Sequence, residues 1–484
     1  MSSTPAPQGP TLHSRRRALQ TLACGFGGLA LAGLWSARGA AGAGSAGGPG
    51  RLRVPHFPPR ARRVIFLFMQ GGPSQVDTFD YKPLLERHDG SQMPFDDPRT
   101  IANTGQRATD QRVMKSPWAF RQYGASGRWV SELFPEVARH VDDLCFIHSM
   151  RTEGVAHGPA TLFLHCGATQ FIRPSMGAWI NYGLGTENEN LPGFVTIAPS
   201  LGNGGPRNFG PAFLPAACQG TPIGTAGQPA AELGLRNLGG GGTPAARRRQ
   251  LDLLQALHAE RAAARPGDAA LEAIVQSYEL AWRMQSEAPG VLDLRGESPA
   301  TLALYGIGDR ATDDFGRQCL MARRLCESGV RFVQVTYGDN TANPRWDQHS
   351  NLPKHADHAR AVDRPIAGLL ADLKARGLLE DTLVWWGGEF GRTPYAQKNG
   401  TGRDHNPAGF TVWLAGAGVR PGFALGRTDD FGARAVEDQV HMHDLHATIL
   451  HLLGLNHEQL TFRHDGRDHR LTDVHGRIIR SLLA

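Results

Sequence analysis

The 484-residue chain contains no Cys-x-x-Cys pair, no internal repeat and no block of clustered basic residues. Cysteine is sparse: six in all, and Cys24 falls in an N-terminal segment expected to be removed. The remainder are Cys145, Cys166, Cys218, Cys319 and Cys326. An odd number without paired spacing excludes a disulfide framework and a cysteine zinc site. Cys319 and Cys326 lie seven apart on a predicted helix, too far apart for a disulfide across two turns. All five read as buried free thiols. Charge of one sign is also lacking: 51 Lys+Arg against 45 Asp+Glu leave a formal net charge of +6. Lysine is scarce beside arginine, and a diffuse excess without a basic motif argues against a nucleic-acid partner. The apolar run at 22–35 is too short and too Gly-rich for a stable membrane span.

Glycine and proline are abundant, at 60 and 32 residues, which predicts many long loops. The N-terminus reads as a targeting segment. Ser14-Arg15-Arg16-Arg17-Ala18-Leu19 precedes the weakly apolar run, and Ala41-Gly42-Ala43 supplies an A-x-A-like cleavage site. Paired arginines in that setting resemble a twin-arginine signal, although Ala18 stands where that signal usually has an aromatic. An ordinary secretory signal is the alternative. The expectation is a signal peptide at 1–43, passage through the twin-arginine export machinery, and a periplasmic or extracellular protein that folds before crossing. Cys24 lies too early to read as a lipid acceptor.

Strand and helix patterns alternate along the rest. Val64-Ile65-Phe66-Leu67-Phe68-Met69 is a continuous apolar run, as expected of a strand buried on both faces. It enters Gln70-Gly71-Gly72-Pro73. Residues 84–128 read as polar and irregular. Further strands are expected at 144–148, 193–197, 330–337, 382–386 and 410–415. Helices are expected at 136–142, 158–164, 174–184, 245–284, 315–329, 358–376 and 444–454, several closed by glycine. The pattern predicts one α/β domain at 44–484 with a mainly parallel sheet and a helical insertion at about 217–300.

Polar residues follow several strands, where open α/β sheets bind ligands. After the first come Gln70, Ser74, Asp77 and Asp80. After the second come His148, Arg151, Glu153 and His157. After the strand at 330–337 come Asp339, Asp347, His349 and Asn351. After that at 382–386 come Glu389, Arg392, Asp404 and His405. Carboxylate and imidazole together suit Zn, Mn or Fe. Bland readings stand beside each. Gly71-Gly72-Pro73-Ser74 fits a plain turn, and Asp77 and Asp80 fit helix caps. Glu389 and Arg392 fit a surface ion pair. His355, His358, His441, His446, His451 and His457 read as ordinary packing or surface histidines, with His443 a weaker candidate.

GGPSQVDTFDYKP, WDQH, GGEFGRTP, GRDHNP and DLHATILHLLGL, in that order, resemble domain-of-unknown-function family 1501 from about Val64 to the C-terminus. That family is similar in turn to the alkaline phosphatase/sulfatase superfamily. The resemblance implies an alkaline phosphatase-like three-layer sandwich and a divalent metal ion, among Zn, Mn, Fe, Ca and Mg. It implies Asp347, His349, Glu389, Asp404, His405 and Asp77 as candidate ligands, with Arg392 or Arg151 as an anion clamp. Two departures matter. Phe390 stands where the superfamily has a ligand His. In His157-Gly158-Pro159-Ala160-Thr161, ending at Gly167, His157 occupies the slot of the Ser, Thr or Cys nucleophile. His157 is then a ligand, a general acid/base or a nucleophile. The resemblance therefore implies a metal-dependent hydrolase of anionic phosphate or sulfate esters, small or polymeric, that uses water directly. The alternative is a cell-envelope binding or maturation module without catalysis.

Overall fold

A computed structural model describes residues 54–94, 111–235, 243–264, 269–396 and 401–484. The expected signal peptide at 1–43 lies outside the described residues. Along the chain come strands β1 (Arg63–Met69), β2 (Leu144–Arg151), β3 (Phe194–Ile197), β4 (Thr221–Ile223), β5 (Phe332–Tyr337) and β6 (Thr382–Gly387). They are followed by β7 (Gly391–Ala396), β8 (Arg403–Asn406), β9 (Phe410–Ala415), β10 (Ala424–Leu425) and β11 (Val440–His441). The helices that matter are α1 (His157–Cys166), α2 (Met176–Leu184), α3 (Pro244–Ala264), α4 (Ala269–Leu292), α5 (Asp313–Glu327), α6 (Lys354–Ala375) and α7 (Met442–Leu452).

The main sheet runs β10-β2-β9-β6-β1-β5-β3-β4, with β11 also on β2. β1 pairs parallel with β5 and β6, and β3 parallel with β5 and β4. β9 is antiparallel to both its neighbours, β6 and β2, so β2 points the same way as the parallel strands. The carboxyl ends of β1, β2, β5 and β6 therefore share one edge, and each enters a loop expected to carry polar residues.

β1 shows why its sequence is apolar throughout. Ile65, Leu67 and Met69 enter one core with residues of α5 and α6, such as Phe315, Leu320, Ile366 and Leu369. Val64, Phe66 and Phe68 enter a second core with residues of α1, α2 and α7, such as Phe163, Trp179, Leu445 and Ile449. Alternation puts successive side chains on opposite faces, and both faces are covered by helices. The result is a helix–sheet–helix sandwich. Phe66 stacks on Trp385 of β6 with centroids 3.7 Å apart.

Three expectations shift. The helix expected at 245–284 is two, α3 and α4, and α4 packs Met284, Ala288 and Val291 into the first core. The helix expected at 136–142 is a 3-10 turn, Val137–Asp143. Glu136 and Val137 donate their N–H groups to the buried carboxylate of Asp363 instead. The loop expected after Glu389 is largely a second sheet: β7 pairs antiparallel with β8 and with the short strand Arg112–Val113. Its polar sequence hides it, because arginines and an aspartate fill its buried positions.

Candidate metal centre

Asp347 sits at the middle of the sheet edge. Its loop folds back over the end of β1, where Trp346 donates its N–H to the Gln70 carbonyl at 3.2 Å. The fully buried Trp346 indole anchors that fold in the first core. Gly71 permits the approach. It has φ +112°, and a Cβ there would lie 2.7 Å from the Asp347 nitrogen. Gly402 does the same for the next residues, since its Cβ would lie 2.2 Å from the His349 carbonyl carbon. His405 comes from β8, paired with Arg392 of β7. His157 is the first residue of α1.

Among the described residues, one ligand atom each from His157, Asp347, His349 and His405 gather within 4.8 Å of one another. Asp347 Oδ1 is 2.8 Å from His349 Nε2 and 3.2 Å from both His157 Nε2 and His405 Nε2. His349 Nε2 and His405 Nε2 are 3.0 Å apart.

The outer nitrogens explain the orientation. His157 Nδ1–H donates to Glu389 Oε1 at 2.6 Å, and His405 Nδ1–H donates to the Val155 carbonyl at 2.9 Å. A carboxylate and a carbonyl only accept, so each Nδ1 carries a proton; neutral His405 then presents its Nε2 lone pair inward, whereas His157, with a carboxylate at each nitrogen, does so once a cation takes the place of its second proton. His349 Nδ1 lies 3.6 Å from Asp404 Oδ1, within ion-pair distance. Three imidazole nitrogens then face one another and a carboxylate oxygen. That arrangement is repulsive when empty of positive charge. A divalent cation fits it, because neutral imidazole plus one carboxylate is the donor set of Zn, Mn or Fe, and outer acceptors fix the tautomers.

The charge states of Asp347 and His405 suit a cation, while His157 would have to give up a proton to it. Burial opposes ionisation of Asp347, but Arg392 and the three histidines outweigh it and hold its carboxyl well below the usual range. Burial pushes His405 down to about 3, leaving it neutral and able to ligate. At His157 burial works downward, and the Asp347 and Glu389 carboxylates outweigh it, holding the ring above its ordinary value.

Several expected site residues stand elsewhere. Glu389 lies behind His157, outside the four-residue group. Both its oxygens accept the Gly71 N–H, at 3.0 and 3.1 Å, as one of them holds His157. Asp404 is likewise one layer out, accepting the His405 N–H at 2.8 Å. Asp77 is a structural ion, because Arg403 grips both its oxygens at 2.7 and 3.1 Å and Ser74 donates to it at 2.5 Å. Arg392 is not an open anion clamp. It is fully buried, and its guanidinium donates to the carbonyls of Gly71, Gly72, Trp346 and Arg403 and to Asp347 at 2.8 Å. Arg151 is exposed at the end of β2 and lines a different pocket. His443 packs among His441, His446 and His475. Phe390 lies against the rings of His405 and His157, at centroid distances of 4.3 and 5.0 Å, as an apolar wall.

The partners that sequence reasoning missed are Val155, Gly71 and Arg403. The first two act through backbone atoms, which no side-chain pattern reports. Arg403 sits beside the recognised Asp404-His405 pair, yet its partner is 326 residues away.

Comparison with curated proteins gives no match. Among solved structures the chain is similar to a phosphonate monoester hydrolase from Silicibacter pomeroyi, with 12% identity over 87% of this chain and 76% of that one and a TM-score of 0.36. It is similar to a sulfatase from Pseudoalteromonas sp., with 13% identity over 85% and 69% and a TM-score of 0.34. It is also similar to alkaline phosphatase from the Antarctic bacterium TAB5, with 10% identity over 83% and 99% and a TM-score of 0.31. Residues 61–483 match the model of DUF1501, a protein family of unknown function, and the chain belongs to that family.

Proposed function

We propose that the protein is an exported metal-dependent hydrolase of phosphate or sulfate esters. The observation that carries this reading is the convergence of three inward Nε2 atoms on the Asp347 carboxylate, with the His157 and His405 rings held by hydrogen bonds from their outer nitrogens. His157, His349, His405 and Asp347 would hold a divalent ion, which when bound supplies Lewis-acid stabilisation of an ester's developing negative charge. Glu389 fixes the tautomer of His157, and the Val155 carbonyl fixes that of His405. Arg392 keeps Asp347 ionised. Phe390 excludes water from one side. None of the four ligating residues is a hydroxyl or thiol, so the attacking group in this reading is water.

Aryl phosphate and aryl sulfate assays on natively exported protein test it. Turnover of one ester class that disappears in His405→Ala supports the reading. Fully metal-loaded protein that hydrolyses neither class contradicts it, and favours a second reading, a metal-holding module of the cell envelope without catalysis. One observation favours that alternative: the Arg392 guanidinium is fully buried and held by five protein oxygens, so it does not stand open to a substrate. Export is a proposal from the arginines Arg15, Arg16 and Arg17 and the segment behind them. Replacing all three by Lys should strand the protein unprocessed in the cytoplasm, as immunoblotting of cell fractions would record. Unchanged processing points to an ordinary secretory signal.

A further inference from the structure

A second polar pocket, of about 450 Å³, opens where β2 ends and α7 begins. Arg151, Glu153, His441, Asp444, His475 and Arg477 line it. Arg151 and Arg477 are exposed, and among the described residues neither guanidinium makes a hydrogen bond or an ion pair. Both Asp444 oxygens are engaged, accepting the His441 N–H at 3.1 Å and the Arg477 N–H at 2.7 Å. Glu153 is the remaining carboxylate, exposed and 3.5 Å from His441 Nε2.

His441 is the buried element. It is 9% exposed and caps the eleven-residue helix α7, accepting the His443 N–H on Nδ1 at 3.4 Å. Nδ1 is therefore the acceptor, and in the neutral ring Nε2 carries the proton. Nε2 is buried and makes no hydrogen bond, with the exposed Glu153 carboxylate standing 3.5 Å from it. A donor without a partner costs free energy that an acceptor from a ligand recovers. Burial, first, and Arg151 hold the ring below its ordinary value, with Glu153 and Asp444 opposing and His475 adding to the lowering, so the donor is a neutral one. The helix terminus adds positive potential on the same side. The pocket's histidines and carboxylates do not form a metal-ligand group of the kind seen at Asp347.

We propose that this pocket binds an oxyanion (phosphate, sulfate or carboxylate) between Arg151 and Arg477, with His441 Nε2–H as the buried donor. Its wall and the metal centre share one short segment. Arg151 and Glu153 face the pocket, while the Val155 carbonyl and His157 belong to the centre. If the hydrolase reading holds, which this one step requires, the substrate class is esters that carry a second negative group, and the pocket receives that group.

Titration calorimetry with inorganic sulfate at low ionic strength tests the pocket without any turnover. The metal-depleted wild type and His405→Ala should both bind saturably and alike. Arg151→Ala and Arg477→Ala should each weaken binding about tenfold, and Glu153→Gln should tighten it about threefold. All three positions are exposed, and thermal melting confirms that the variants fold. Absent saturable binding, or binding by the two arginine variants as tight as that of the wild type, overturns the proposal. So does binding that vanishes in His405→Ala, which would put the anion at the metal centre. Failure of the hydrolase reading would look different: no ester turnover, with sulfate binding intact.

Discussion

Asp347 Oδ1 is the atom on which the site turns, meeting Arg392 Nη2 and three imidazole nitrogens within 3.2 Å. Taking Arg392 away leaves that carboxylate buried beside lone pairs. Arg392→Met should cost about 3–5 kcal/mol of stability by chemical denaturation. Arg392→Lys should not restore it, since one ammonium cannot reach the oxygens of Gly71, Gly72, Trp346 and Arg403 together. Glu389→Gln is a gentler change. It keeps an acceptor for Gly71 and His157 but removes the charge behind the imidazole, and should lower metal affinity about 10–100-fold in a chelator competition with the fold intact. Unchanged affinity would remove Glu389 from its positioning role. Asp77 makes the opposite prediction. Asp77→Asn breaks a buried ion pair and should destabilise by about 3–5 kcal/mol while leaving metal content unchanged. His157, Asp347, His349 and His405 were legible as candidates because imidazole and carboxylate followed strand ends. The layer to which Glu389, Asp404 and Asp77 belong was not. A buried carboxylate beside an arginine and one beside a metal have the same local sequence, and only the fold distinguishes them.

The elements that carry these residues differ in how openly their sequences announce them. β1 and β6 are unbroken apolar runs because helices cover both sheet faces, and they were readable at once. β7 and β8 were not, since their buried positions hold Arg392, Arg403 and Asp404, and the carboxylates that pair with the two arginines, Asp347 and Asp77, lie far away in sequence. α7 carries a stability effect of its own. His446 donates from Nε2 to the Leu164 carbonyl at 2.8 Å, and its buried Nδ1 has no partner. Burial lowers this ring from 6.5 to about 4 and lowers His165 of α1 likewise. The unfolded chain thus takes up these protons first as the medium is acidified. The stabilisation is fully present above about pH 6.5 and is lost as the pH falls through about 4, each ring contributing up to about 3 kcal/mol. The melting temperature should fall across that window, and His446→Gln should flatten the fall. A profile identical to wild type would show that His446 is protonated equally in both states.

At the scale of the whole molecule, parallel β1, β5 and β6, with β2 pointing the same way, deliver four loops to one edge. That topology brings His157, Asp347, His349 and His405 together from three stretches of sequence. It also puts the Arg151–Arg477 pocket and the metal centre on one short connection after β2. The α/β class and the strand-end location followed from alternation of patterns, whereas the ligand set needed the backbone hydrogen bonds that fold the loops back. Elemental analysis of protein purified from its native host tests the central claim, that three imidazoles and Asp347 form a metal centre. About one equivalent or more of a divalent metal per wild-type chain is expected, with a trace in folded His405→Ala. Well-folded wild-type protein that carries only a trace of Zn, Mn, Fe, Ca or Mg would contradict it.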